Sequence, residues 1–379
     1  MDSRSCWVVK IGSAVLMSAD GGTDRGAFCR LIEGLANLYS AGVRVVLVTS
    51  GAVAVGRLKM ALDKRPSGER NIPKLQALAA LGQARLMNLY ESELAHYGID
   101  AAQVLLTRDD FNHRQRYLNA RRALGAIHDF GAIPIINEND SVGIDEIRFG
   151  DNDQLAAMVA AMIAADRLVL LSDIDGLYTG DPRRDPSAKR LPRVRANDPS
   201  LDAMVGGTLD PTGGFGTGGM RTKLTAARIA ARAGIETIIA PGKEADVLGR
   251  LMVEDLNVGT LFTPDPGADR IAARKAWIGM GVAPKGKLWC DAGAVNAVQS
   301  RGTSLLPSGV QRVEGDFADG DAVELIDPEG NAFARGLAIY NSNALTKIAG
   351  SSSSDIVNIL GYHILDAVVH RDDLVLLDP

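Results

Sequence analysis

At 379 residues the chain is longer than one hydrophobic core usually holds, so two domains are expected. Hydrophobic residues at 46% and charged residues at 23% give the balance of a soluble globular protein, and no apolar run approaches the roughly 20 residues of a membrane span. A net charge of −5 gives no global pull toward nucleic acid, and three cysteines without C-x-x-C spacing argue against a disulfide framework or zinc site and for a reducing cytoplasm.

The opening "MDSRSCWVVKIG" runs straight into a strand pattern, with no signal-peptide pattern before it. Strands are predicted at 6–12, 43–50, 100–107, 132–137, 166–172 and 235–240. Their runs are almost continuously apolar, as parallel strands buried on both faces require. Helical periods separate them, the clearest setting Leu155, Met158, Val159, Met162 and Ile163 on one face. This alternation predicts a three-layer α/β/α fold around an open, mainly parallel sheet over residues 1–262. Ligands of such sheets bind beyond the carboxyl ends of the strands. Residues 263–280 read as a linker. From 281 to 361 short strands alternate with the hairpin turns "FADGD" and "DPEGN", which predicts a small β-barrel, and 362–379 reads as a tail.

Two glycine patterns are set aside. "GFGTGG" (214–219) matches G-x-G-x-x-G but does not follow a strand, and "GVAPKGK" (281–287) lacks the hydroxyl residue a P-loop places after its lysine. The strand ends are more informative. Lys10 stands inside an apolar strand, where a charge is costly unless it meets an anion; the alternative is a lysine snorkelling from the sheet end. Ser50 and Gly51 lead the second strand into a helix whose free N–H groups suit an anion. The fourth strand ends in Asn137, Glu138, Asn139 and Asp140. Asp151, Asn152 and Asp153 open the next helix, where N-capping needs only one of the three. Together these polar ends suit an ammonium group and the placement of lysines. "LLSDIDGLYTGDPR" (170–183) ends the fifth strand in a turn fit to cover a nucleotide, and "GTGGMRTKL" (216–224) is a glycine-rich loop running into Lys223. The five histidines show no triad or metal spacing, which weakens a hydrolase reading.

In order, "VVKIGS", "VTSGAVAVG", "NENDSV", "FGDNDQLAA", "LLSDIDGLYTGDPR" and "GTGGMRTKL" resemble the amino acid kinase family, and within it the branch that phosphorylates free glutamate. The segment "GDFADGDAVELIDPEGNAFARGLAIYNS" resembles a PUA domain, so the likeness covers essentially the whole chain. Aspartokinases would open on a K-[FY]-G-G turn and end in ACT domains, and this chain does neither. Ser172 stands where many relatives carry threonine, a change that keeps the hydroxyl.

The resemblance implies transfer of the ATP γ-phosphoryl group to the γ-carboxylate of L-glutamate, the first step of proline biosynthesis. That carboxylate is ionised at neutral pH, so the nucleophile needs no general base, only neutralisation and in-line placement of two anions. By family analogy Lys10 and Lys223 flank the transferring group and Asp153 holds both. Ser50, Gly51, Asn137, Asp140 and Asn152 contact glutamate, with Asp140 on its ammonium group. Lys10, Ser172, Asp173 and the loop Thr217, Gly218, Gly219, Met220, Arg221, Thr222 and Lys223 contact ATP. Magnesium is expected to arrive on the ATP phosphates rather than in a protein cage. The family further implies inhibition by L-proline, a homo-oligomer and a functional link to glutamyl phosphate reductase. Two rivals are a sister kinase acting on N-acetylglutamate, uridylate, carbamate or aspartate, and an RNA-binding protein. Residues 281–350 carry six Lys/Arg against eight Asp/Glu, a poor match to the basic stripe RNA needs.

Overall fold

A computed structural model describes residues 5–18, 22–62, 71–142, 152–180, 182, 185–205, 219–255, 257–265 and 284–377. The chain divides into two compact units, Met1–Asn112 with Asn119–Ala268, and His113–Leu118 with Asp269–Pro379. From residue 266 onward the segment read as a linker lies outside the described residues.

The six apolar runs of the first unit are strands: β1 (Cys6–Ile11), β2 (Arg44–Val48), β3 (Ala101–Leu106), β4 (Ile133–Glu138), β5 (Arg167–Ser172) and β7 (Glu236–Pro241). Two more were not foreseen, β6 (Arg193–Arg195) and β8 (Thr260–Thr263). The eight-stranded order is β3-β4-β2-β1-β5-β7-β8-β6, parallel throughout except where β8 runs against β7. β1 therefore lies centrally, with β2 on one side and β5 on the other. The chain reverses its direction of winding there, which is where a doubly wound sheet opens a crevice.

The helices of this unit are α1 (Ser13–Leu16), α2 (Arg25–Ser40), α3 (Ala52–Lys59), α4 (Ile72–Ala95), α5 (Arg108–Asn112), α6 (Arg114–Asp129, of which the part from Asn119 belongs here), α7 (Asn152–Ile163), α8 (Ser200–Val205), α9 (Met220–Arg232) and α10 (Val247–Met252). Strand alternation sorts the side chains of β1 between the two layers. Trp7, Val9 and Ile11 enter a core shared with Phe28, Leu31 and Leu35 of α2, Leu86 and Tyr90 of α4, and Leu248 and Leu251 of α10. Val8 and Lys10 face the other layer, where α7 packs on β1 and α9 packs on α7 and β7. The single apolar face expected of α7 is a correction: Ala156, Ala157 and Ala160 are buried as well, while Met158 and Ile163 are only half-buried. A helix covered by both the sheet and α9 has little free surface to keep polar.

α3 and α4 approach backbone to backbone. A Cβ at Gly56 would overlap the carbonyl oxygen of Leu78, and one at Gly82 would overlap that of Ala52. Backbone atoms cannot step aside, so Gly82→Ala is expected to lose about 3 kcal/mol of stability, at the upper end for an overpacked core. Urea unfolding measures this, and a loss below about 1 kcal/mol would mean the helices separate freely.

The second unit holds β9 (Gly286–Cys290), β10 (Val310–Gly315), β11 (Ala322–Ile326), β12 (Ala332–Ala338) and β13 (Val369–Leu376), in the order β10-β9-β11-β12-β13. β9 and β11 are parallel and the other neighbours antiparallel. Leu305, just ahead of β10, bridges to Val369 of β13, which supplies the closure a small barrel needs. Leu288, Val323, Leu325, Phe333, Tyr340 and Leu345 fill its core. The Tyr340 hydroxyl accepts the N–H groups of Ile364 and Leu365 and donates to the Leu365 carbonyl, so the chain is tied down ahead of β13. Residues 369–376, read from the sequence as tail, are thus a strand of this sheet. No helix among the described residues is long and apolar enough to cross a membrane.

Candidate active site

Strand β1 is apolar except at Lys10, which points toward the layer of α7. The first turn of α7 brings Asp153, and the first turn of α9 brings Lys223. The Lys10 Nζ lies 2.5 Å from Asp153 Oδ1, and the Lys223 Nζ 3.2 Å from Asp153 Oδ2. All three are buried, with Asp153 at 1% exposure. Lys10 is therefore enclosed and paired rather than snorkelling out. Burial alone would push the Asp153 carboxyl up; Lys10, then Lys223, by charge and hydrogen bond, outweigh it and hold it at about 2. Two ammonium groups gathered on one carboxylate at the carboxyl end of β1 suit an anion. The Thr222 hydroxyl stands within hydrogen-bond reach of both Asp153 Oδ2 (3.1 Å) and the Gly219 carbonyl (2.8 Å).

The residue before Asp153 belongs to a second cluster. Asn152 Nδ2 meets the Thr49 carbonyl at 2.5 Å, Ser50 Oγ at 3.0 Å and Asn137 Oδ1 at 2.8 Å. Asn137 at the end of β4 accepts the Glu138 N–H as well, and its own Nδ2 donates to Gln83 Oε1 at 2.8 Å. Thr49 and Tyr90 share a buried hydroxyl pair at 2.8 Å beneath it. Gly51 caps α3 at φ +98°, a left-handed position that glycine takes without strain. Successive residues of α7 thus carry an amide cluster and a charged cluster side by side.

The remaining residues singled out by the sequence fall as follows. Asp140 stands in the turn after β4 and takes no hydrogen bond or ion pair from the described residues; burial pushes its carboxyl up to about 6. Ser172 ends β5, buried, and its hydroxyl donates to the exposed Asp173 carboxylate at 3.0 Å. Gly12, two residues past Lys10, donates its N–H to the carbonyl of Leu171, so the ends of β1 and β5 are adjacent. Gly219 is the N-cap of α9, with Met220 half-buried and Arg221 exposed beyond it. Asp151, Thr217, Gly218 and the glycine-rich stretch before them lie outside the described residues.

Gln83 was missed by sequence reasoning. It sits within α4 among alanines and leucines, and only the glycine before it hints at its place. The close approach of Gly82 to Ala52 is what brings it to the strand ends.

Comparison with known proteins adds to this geometry. The family model described as "Amino acid kinase family" matches residues 5–241, and the PUA domain model matches 286–360. A protein of Pseudomonas putida named glutamate 5-kinase is 49% identical over 371 residues, 98% of this chain and 97% of its own. A second of that name, from Pseudomonas syringae pv. tomato, is 47% identical over the same shares. Among solved structures, the carbamate kinase from Giardia lamblia bound to AMP-PNP covers 70% of this chain and 100% of its own at 16% identity and a TM-score of 0.50, a likeness of fold. With a family model over more than half of its length, and relatives nearly half identical from end to end, this chain belongs to the amino acid kinase family.

Proposed function

We propose that this chain transfers the γ-phosphoryl group of ATP to the γ-carboxylate of L-glutamate, yielding L-glutamyl 5-phosphate for proline biosynthesis. The observation that carries the reading is the adjacency of Asn152 and Asp153. One joins the strand ends suited to an amino acid, and the other gathers the two lysines suited to phosphate. Lys10 and Lys223 neutralise the γ-phosphoryl oxygens as charge develops, and Asp153 keeps both ammonium groups in line. Ser50, Gly51, Asn137 and Asn152 hold the acceptor. Ser172, Asp173 and residues 217–223 hold ATP, whose phosphates carry the magnesium ion. L-Proline resembles glutamate at its α-carbon and competes for the same place. The labile acyl phosphate favours a functional link to a downstream reductase, and the enzyme works in the cytoplasm as a homo-oligomer.

Incubation with ATP, magnesium and candidate acceptors in the presence of hydroxylamine tests the reaction, because hydroxylamine traps acyl phosphates. Glutamate-dependent hydroxamate is expected; its absence, or hydroxamate from N-acetylglutamate or aspartate instead, would reject glutamate as the acceptor. In this reading Asp140 takes the substrate ammonium as a carboxylate. Burial pushes its carboxyl up to about 6, so glutamate KM is expected to rise about tenfold as pH falls from about 7 to 5. Asp140→Asn should raise KM and flatten that dependence, and a wild-type profile in the variant would remove Asp140 from the site.

A further inference from the structure

The amide cluster has a direction, and two backbone groups impose it. The Thr49 carbonyl can only accept, so the group of Asn152 that meets it must be the amide nitrogen. The Glu138 N–H can only donate, so Asn137 must turn its oxygen to it, where it also accepts from Asn152. The Asn137 nitrogen is then the donor to Gln83, which must answer with its oxygen. Three amides are thus aligned head to tail, from Asn152 through Asn137 to Gln83.

An aligned chain has two loose ends. At one end Asn152 Oδ1 is buried and has no hydrogen-bond partner among the described residues; at the other, Gln83 Nε2 is buried and has none among them. Asn152 is 6% exposed and Gln83 8%. A buried donor left unsatisfied is costly, so its retention points to a ligand that supplies the missing acceptor. The acceptor end is Asn152, next to Asp153 and the lysines; the donor end lies two amides away from them.

We propose that Gln83 Nε2 donates a hydrogen bond to the α-carboxylate of the acceptor amino acid, making Gln83 a specificity-determining contact. This rests on the reading of the site as that of a glutamate kinase. The γ-carboxylate must face the phosphoryl group between Lys10 and Lys223, so the carboxylate that reaches the far end of the amide chain is the α one. Asn152 Oδ1 then accepts from the α-ammonium group, and the two loose ends match the two charges of a zwitterion.

Gln83→Glu separates this role from simple support of Asn137. The variant keeps an oxygen for Asn137 Nδ2 but sets a carboxylate against the substrate carboxylate. With full-length protein in the hydroxylamine assay at about pH 8.5, where the new carboxyl is ionised, glutamate KM is expected to rise at least tenfold. The kcat and the KM for ATP should stay within about threefold of wild type. An unchanged glutamate KM in a folded variant would overturn the proposal, because a residue that only supports Asn137 predicts that result. Where the melting transition of Q83E is lost, Gln83→Met replaces it. A glutamate KM that rises while the inhibition constant of 4-aminobutyrate, which lacks the α-carboxylate, stays unchanged supports the contact; a wild-type glutamate KM, or an equal rise for both, overturns it. The reading of the reaction is judged separately, by whether the wild-type protein forms glutamate-dependent hydroxamate at all.

Discussion

Asp153→Asn is expected to cost this protein stability as well as turnover. The carboxylate pairs with both Lys10 and Lys223, and its removal takes a buried negative charge away from two buried ammonium groups. Breaking a buried ion pair from one side costs about 3–5 kcal/mol, because the charge left behind stays buried. The lysines also lose their common anchor, and a misplaced charge-stabilising donor typically costs about 10²–10³ in rate. Thermal unfolding and steady-state turnover measure the two losses, and a variant with wild-type melting and turnover would refute the shared role. The acid limb of stability gives a companion result. The folded-state pKa of Asp153 is held at about 2, below its unfolded value, so the stability it contributes is full above about pH 4 and drains away as pH falls toward 2. Asp153→Asn should remove that part of the acid dependence.

Lys223→Met should behave in the opposite way toward the fold. Removing one of two ammonium groups keeps the ion pair of Lys10 with Asp153, and methionine keeps the volume of the aliphatic stem. The melting temperature is expected to hold or rise, while kcat falls about 10²–10³-fold for want of a charge on the transferring group. Near-wild-type turnover in this variant would take Lys223 out of the chemistry. A large loss of stability would show that Lys223 serves the fold instead. The two substitutions together distinguish a cluster built for an anion from an ion pair kept for structure, since only the former loses turnover without losing stability when Lys223 is replaced.

The central sheet was legible because β1, β2, β4, β5 and β7 are covered on both faces, and a strand so covered is apolar at nearly every position. β6, with the sequence Arg193-Val194-Arg195, gave no such signal: it is a three-residue edge strand with exposed arginines. β8 is buried but only four residues long, too short for a run of its own to stand out. The site was legible where chemistry contradicts location, as with Lys10 inside an apolar strand and three polar residues at one helix start where one would suffice. Gln83 contradicts nothing in the sequence. A glutamine is an ordinary helix residue, and its burial follows from a contact between Gly82 and Ala52 that no local pattern encodes. The α7 face was misread for a related reason: periodicity reports which side is apolar but not whether a second helix will cover the other side.

The bridge from Leu305 to Val369 has a practical consequence for dissecting the molecule. The PUA model matches residues 286–360, and a fragment cut at that boundary would look complete by homology. It would lack β13, and so leave the whole hydrogen-bonding edge of β12 bare, in a strand whose Phe333, Ala334, Leu337 and Ala338 are buried. Such an edge is a template for pairing with other chains, so the short fragment should aggregate. A fragment carried past residue 376 keeps the ring shut and is the one suited to study in isolation.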